Sequence, residues 1–268
     1  MKKKGLPLLE VDLFGESITN PSIFVNYIKK IRKLPERIPP TCLFLYSNDL
    51  INSIRSRFPS ISVDLGTEIP NILHFVKKGE IEFGMIHGQI GAPASAVQLE
   101  ELIALGFKNF VTIGSTGGLK KYLKPGDIIL PTRAIRCEGT SYHYLSPYED
   151  SYPSQKILKH LREALYSLGV KFYEGTCLTT DAFYRETLRD MEKYRKRGVV
   201  CVDMEVAALY AVGKFRNVDV GSSFWLWDQV IEPGRWNPDY QTKRINKAKN
   251  DLVEVAIKVC ESLSSEEK

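Results

Sequence analysis

From residue 20 onward the chain alternates between short apolar runs and longer stretches in which apolar positions recur every three to four residues. The first pattern reads as buried strand and the second as amphipathic helix. Residues 22–33 place Ile23, Tyr27, Ile28 and Ile31 on one side of a short helix, and Pro35, Pro39 and Pro40 then break the chain. Residues 41–46 read as a strand, 49–58 as a helix stopped by Pro59, and 83–87 as a strand. Gly88, Gly91 and Pro93 mark a loop, and 94–105 a helix ended by Gly106. A strand over 109–113 runs into Gly114-Ser115-Thr116-Gly117-Gly118. After a Pro125-Gly126 turn come a strand at 127–130, a strong helix at 154–168 and a strand at 172–178. A helix at 205–214, a strand at 220–226 and a long amphipathic helix at 242–263 complete the pattern. This order predicts a single-domain α/β fold of three layers, with helices on both faces of a central mixed sheet. Residues 1–40 read as an N-terminal extension and 41–268 as the domain proper.

Composition narrows the class. With 268 residues, 43% hydrophobic and 26% charged, the chain can bury a full core without staples. The net charge of +5 comes from dispersed lysines and the Lys2–Lys4 cluster, with no basic run interleaved with aromatics. A nucleic-acid groove is therefore not expected, and phosphorylated or anionic ligands would be attracted only weakly. Cys42, Cys137, Cys177, Cys201 and Cys260 are odd in number and widely spaced, which argues against a disulfide framework or a zinc site and fits a reducing, cytoplasmic setting. Residues 1–17 lack the apolar core of a signal peptide, and no run of eighteen apolar residues predicts a membrane span. No metal or organic cofactor is expected.

Four segments are dense enough in polar groups to carry chemistry. Gly114–Gly118 ends a strand, where glycines let backbone amides approach a ligand and Ser115 and Thr116 add hydroxyls; a tight turn is an equal use of the same residues. Asp203-Met204-Glu205 leads into a helix with small residues behind it, and a Glu there can simply complement the helix dipole. Phe224 to Gln229 is an aromatic strand ending at Asp228, where burial beside Trp225 and Trp227 would favour a proton-donating acid; a turn or helix cap is the plainer use of an Asp. Arg136 to Tyr144 is a polar, aromatic loop in which His143 either contacts a ligand or bonds locally.

In this order the segments resemble the nucleoside phosphorylase family, which includes purine nucleoside and uridine phosphorylases and nucleosidases. The resemblance runs from about 41 to about 229 through Gly91-Ala92-Pro93-Ala94-Ser95, Glu100–Gly106, Gly114–Leu119, Lys124–Asp127, Thr180–Tyr184 and Asp203–Glu205. It implies cleavage of an N-glycosidic bond. It casts Met204 and Glu205 as the ribose-binding pair, Phe183 as the ring stacked on the base, and Asp228 as the acid that protonates a purine at N7. Ser115 falls at the phosphate and ribose end, with Thr116 and Gly117 near the base and His143 as a further contact. It also implies a homo-oligomer that binds a small nucleoside, with inorganic phosphate as co-substrate.

The departures from the family lie at the phosphate. Thr112 stands where hexameric members carry an Arg, Tyr46–Ile51 lacks the Arg of their first loop, and a third Arg position falls near Thr67. Arg is the natural bidentate partner of phosphate, so its loss is not conservative. Arg133 or Arg136 would have to bring charge from another direction. The nucleosidases also lack these arginines and use water, but their N-terminal catalytic Glu has no match nearer than Asp49. Thr187 replaces the Gln with which uridine enzymes read uracil, whereas Glu138–His143 is closer to the uridine type. A phosphorylase acting on a purine nucleoside is the leading expectation. A nucleosidase, a uridine-type enzyme and an inactive nucleoside-binding protein follow in that order.

Overall fold

The computed structural model describes residues 11–13, 15–67, 69–230 and 242–266. Among them the α/β alternation is realised as nine strands and seven α-helices. The sheet order is β2-β3-β4-β1-β5-β8-β7-β6-β9. The parallel centre is β4 (Ile81–His87), β1 (Thr41–Leu45), β5 (Asn109–Gly118) and β9 (Asp219–Gln229). The sheet also closes on itself. β5 bonds to β9 along its length and to β8 (Val199–Asp203) at Gly117 and Gly118, and β7 (Phe172–Thr180) and β6 (Ile128–Cys137) complete a ring of five strands.

Strands buried on both faces are largely apolar, because each face must meet a layer of helices. In β1, Cys42 and Phe44 enter the core that holds α3 (Ala92–Leu105) and α6 (Val206–Arg216), while Leu43 and Leu45 enter the one beneath α2 (Asn48–Arg55), α4 (Gln155–Ser167) and α7 (Lys243–Glu266). Those two cores are the two sides of the three-layer sandwich. The N-terminal helix α1 (Pro21–Ile31) packs on the first, with Val25 and Ile28 buried in it and Ile23, Tyr27 and Ile31 exposed on its outer side. Gly106 ends α3 at φ 124°, a conformation L side chains resist.

Three elements differ from the pattern. The Gly114–Gly118 run is not a turn: β5 continues through it, and none of its glycines has a positive φ. Their role is close approach, since a Cβ on Gly118 would sit 2.8 Å from Leu226 Cδ1. β2 (Ser60–Asp64) is an edge strand with only Val63 buried, and α5 (Leu188–Lys196) buries only Met191, so neither leaves a periodic apolar signal. β3 (Ile72–Lys78) forms the hairpin partner of β2.

Candidate functional site

The carboxyl ends of β1, β5, β8 and β9 converge on one cavity of about 220 Å³, below the ~300–1,000 Å³ usual for small-molecule sites. Tyr46, Ile90, Ser115, Thr116, Gly117, Phe183, Glu186, Met204, Glu205, Trp227 and Asp228 all line it. It thus gathers Ser115, Thr116, Gly117, Phe183, Met204, Glu205 and Asp228 from four separate stretches of the sequence.

Asp203 builds the first end of the cavity. Its buried carboxyl accepts the amide protons of Glu205 and Val206 at 3.1 and 2.8 Å and the Thr179 hydroxyl at 2.7 Å. It therefore caps α6, and burial holds it above the usual carboxylate range. Because Asp203 does the capping, Glu205 is released from that task. Its Oε1 instead accepts the Gly91 amide at the start of α3, at 2.7 Å, and Oε2 accepts the Met204 amide at 3.3 Å. Burial and the neighbouring Asp203 raise the pKa of Glu205 to about 8, against the pull of those two amides. Tyr46 stands beside it, its hydroxyl 2.8 Å from Ser95 Oγ, and burial with the nearby Glu205 carboxyl keeps the phenol protonated.

The far end belongs to β9. The β5–β9 register shifts so that Thr116 faces Leu226 while Gly117 faces Asp228, leaving Trp227 as the extra residue of a bulge. A bulge re-aims side chains, and it lets both Trp227 and Asp228 reach the cavity. Asp228 is buried, and a Cβ on Gly117 would lie 3.1 Å from its Oδ1. Trp225 points the other way, into the core under α7 with the Lys249 ammonium 5.6 Å from its ring centre, so Trp227 alone of the two indoles reaches the cavity beside Asp228. Ser115 faces the cavity between the two ends, and Thr116 fixes β5 to β8 by donating to the Val202 carbonyl at 2.7 Å.

Two expected residues stand elsewhere. Arg136 does not face the cavity: its guanidinium donates to Ser141 Oγ at 2.7 Å and to the carbonyls of Leu145, Ser146 and Glu149 at 3.0, 2.5 and 2.9 Å, and lies 4.1 Å from the Tyr142 ring centre. Those bonds engage four of its five donors in holding its own loop, away from the cavity where a phosphate role would place it. Arg133 pairs with Asp150 at 3.3 Å. His143 ends a 3-10 turn, Thr140–His143, and is exposed outside the cavity lining. Conversely, Tyr46 and Glu186 line the cavity without belonging to any motif; only their places just after β1 and the Phe183 turn mark them. Among the described residues no helix is long and apolar enough to cross a membrane, and no group of three His, Cys, Asp or Glu side chains is placed to hold a metal.

The model of one protein family, the phosphorylase superfamily, matches residues 64–261. A uridine phosphorylase of Thermococcus kodakarensis is 31% identical over 145 residues, 49% of this chain and 52% of its own. A guanosine phosphorylase of Halorubrum lacusprofundi is 27% identical over 170 residues, 63% of this chain and 70% of its own. The chain thus spans about half the length of the first relative and more of the second. A solved structure of purine nucleoside phosphorylase from Toxoplasma gondii, in complex with immucillin-H, superposes with a TM-score of 0.77 at 20% identity, covering 86% of this chain and 94% of that one, and so shares its fold.

Proposed function

The chain belongs to the phosphorylase superfamily, and on that premise we propose that it cleaves the N-glycosidic bond of a purine nucleoside, with inorganic phosphate as the acceptor. The observation that carries this reading is the placement of Glu205 and Asp228 at opposite ends of one cavity, bridged by Gly114–Gly117 of β5. Three residues of strand span about 10 Å. The Glu205 end takes the ribose: an ionised carboxylate accepts the sugar hydroxyls and stabilises positive charge as the ring becomes oxocarbenium-like. Met204 packs against the sugar and Phe183 against the base. At the other end the carbon–nitrogen pair leaves with the base, and Asp228 supplies its proton, a contribution of typically ~10²–10⁴-fold. A phosphate oxygen then bonds to the anomeric carbon, beside Ser115, and ribose 1-phosphate forms.

One observation favours a second reading, hydrolysis. The described lining holds four carboxyl side chains, Glu186, Asp203, Glu205 and Asp228, and no Lys, Arg or His. Such a lining opposes a phosphate dianion unless a cation comes from beyond it, and water meets no such opposition. A homo-oligomer is part of the proposal, because a neighbouring copy could bring that cation; the exposed Ile23, Tyr27 and Ile31 of α1 support an apolar contact between copies. The products decide the acceptor. Ribose 1-phosphate formed only with phosphate supports phosphorolysis, and free ribose formed without phosphate supports hydrolysis.

A further inference from the structure

Thr179 stands one residue before the end of β7, opposite Asp203 of β8 in the parallel register, and is fully buried behind the cavity rather than in its lining. Its hydroxyl works in two directions at once. It donates to Asp203 Oδ1 at 2.7 Å and accepts the Ala207 amide proton at 3.0 Å. The first amides of α6 are thereby shared between two side chains: those of Glu205 and Val206 go to Asp203 Oδ2, and that of Ala207 goes to Thr179. Amides at a helix start have no partner within the helix, so in a buried site each must find one outside it. Asp203 Oδ1 also accepts from the Cys177 thiol at 3.4 Å, but a thiol is a weak donor. The Thr179 hydroxyl thus joins β7, β8 and α6 at the point where the chain turns towards Glu205.

We propose that Thr179 is a positioning residue for the reaction: through Asp203 and the first turn of α6 it holds the Glu205 carboxylate where the ribose meets it. This rests on the reading of the cavity as a nucleoside site. The hydroxyl also acts on charge. A hydrogen bond to the ionised form of an acid favours that form, so Thr179 draws Asp203 towards ionisation while burial opposes it. Asp203 in turn raises the pKa of Glu205. The other titratable groups around this pair are Tyr46 after β1, Cys177 on β7, Cys201 on β8 and Tyr210 on α6, with Glu186 and Asp228 at the far end of the cavity; among the described residues none of these is a cation. Removing the hydroxyl therefore leaves Asp203 harder to ionise, weakens its charge on Glu205, and lets Glu205 ionise at lower pH. It also leaves the Ala207 amide without its acceptor, so the turn that carries Glu205 is free to shift.

The test compares Thr179→Val, which keeps the shape and loses the hydroxyl, with Thr179→Ser, which keeps the hydroxyl. The readout is kcat/KM for inosine with phosphate, followed against pH. Above about 8, where Glu205 is ionised, the Val variant should lose roughly ten- to a hundredfold, the worth of a bond to a charged group. Its rising limb should lie at lower pH than that of the wild type, and Thr179→Ser should restore the limb and most of the rate. In an Asp203→Asn background, Thr179→Val should move the limb no further, because the charge it acts through is already gone. A limb that Thr179→Val leaves in place, or moves equally in the Asp203→Asn background, would overturn the proposal. So would a Ser variant as impaired as the Val variant. Carboxyl carbon NMR of the ligand-free protein, with Glu205 assigned by Glu205→Gln, reads the same titration without turnover. If the wild type cleaves no nucleoside, the proposed reaction fails, and the Glu205 titration still decides whether Thr179 acts on it through Asp203. If Thr179→Val does not fold, Thr179→Ala removes the same hydroxyl with less bulk and takes its place.

Discussion

Glu205 Oε1 accepts the Gly91 amide proton at 2.7 Å and so ties the start of α6 to the start of α3 across the cavity. The bond is available because Asp203, two residues earlier, has already capped α6. A lone Glu at a helix start is commonly a complement to the helix dipole. Here two helix starts face one carboxylate, and its remaining capacity points into the cavity. That arrangement suits a group whose task is to accept hydroxyl protons from a bound sugar.

The acidity of Glu205 gives a pH prediction. Its carboxyl is lifted from an ordinary value of 4.5 to about 8, first by burial and then by Asp203. Only the ionised form accepts ribose hydroxyls without giving up its own proton. The Glu205 limb of the free-enzyme profile, kcat/KM against pH, should therefore rise with pH through about 8. Stability runs the other way. Between 4.5 and about 8 the folded chain holds a proton that the unfolded chain has lost, so this group's contribution to stability falls as pH rises through that window. Asp203→Asn removes the neighbouring charge, so the rising limb should move to lower pH, while the weakened cap costs about 1 kcal/mol in chemical denaturation. A limb that stays in place would show that Asp203 does not set the acidity of Glu205.

Gly117→Ala tests the packing around the acid. The new Cβ would stand 2.8 Å from Val230 Cγ2, 3.0 Å from Val202 Cγ1 and 3.1 Å from Asp228 Oδ1. Something must move, and the Asp228 carboxyl faces open cavity. Turnover should fall at least tenfold, because a misplaced acid forfeits part of its ~10²–10⁴-fold contribution. Circular dichroism should still report a folded chain. Unchanged kcat would mean that the position of Asp228 does not matter to the reaction.

Arg136→Ala separates a structural arginine from a phosphate-binding one. Its bonds to Ser141, Leu145, Ser146 and Glu149 hold one loop together, and bonds to charged groups are worth ~1.5–3 kcal/mol each at most. The variant should lose on the order of 2–4 kcal/mol of stability, with the KM for phosphate unchanged in whatever turnover survives. A large rise in that KM alone would return Arg136 to the phosphate.

The layers and most of the cavity were legible in the sequence because the central strands and the large helices carry strong apolar patterns. β1, α4 and α7 bury continuous stripes, and Asp203-Met204-Glu205 and Asp228 stand at strand ends, where α/β folds place ligands. What was hidden depends on tertiary approach. The glycines of β5 read equally as a ligand-binding run or a tight turn, yet they make room for Leu226 and Asp228 on the neighbouring strand. The bulge that brings Trp227 and Asp228 into one cavity leaves no sequence pattern. Arg136 looked available because a chain of letters does not reveal four carbonyl and hydroxyl acceptors folded around it. Glu186 lay in an exposed, charged stretch that resembles any surface loop.

The most direct test is the rate of base release from inosine and guanosine, with phosphate present, by the wild type and by Glu205→Gln. The account predicts measurable release by the wild type and a fall of two or more orders of magnitude in the variant, because the amide cannot carry the charge that stabilises the oxocarbenium-like sugar. Wild-type protein that releases no base, or a variant that releases it equally fast, would contradict the assignment of this cavity to nucleoside cleavage.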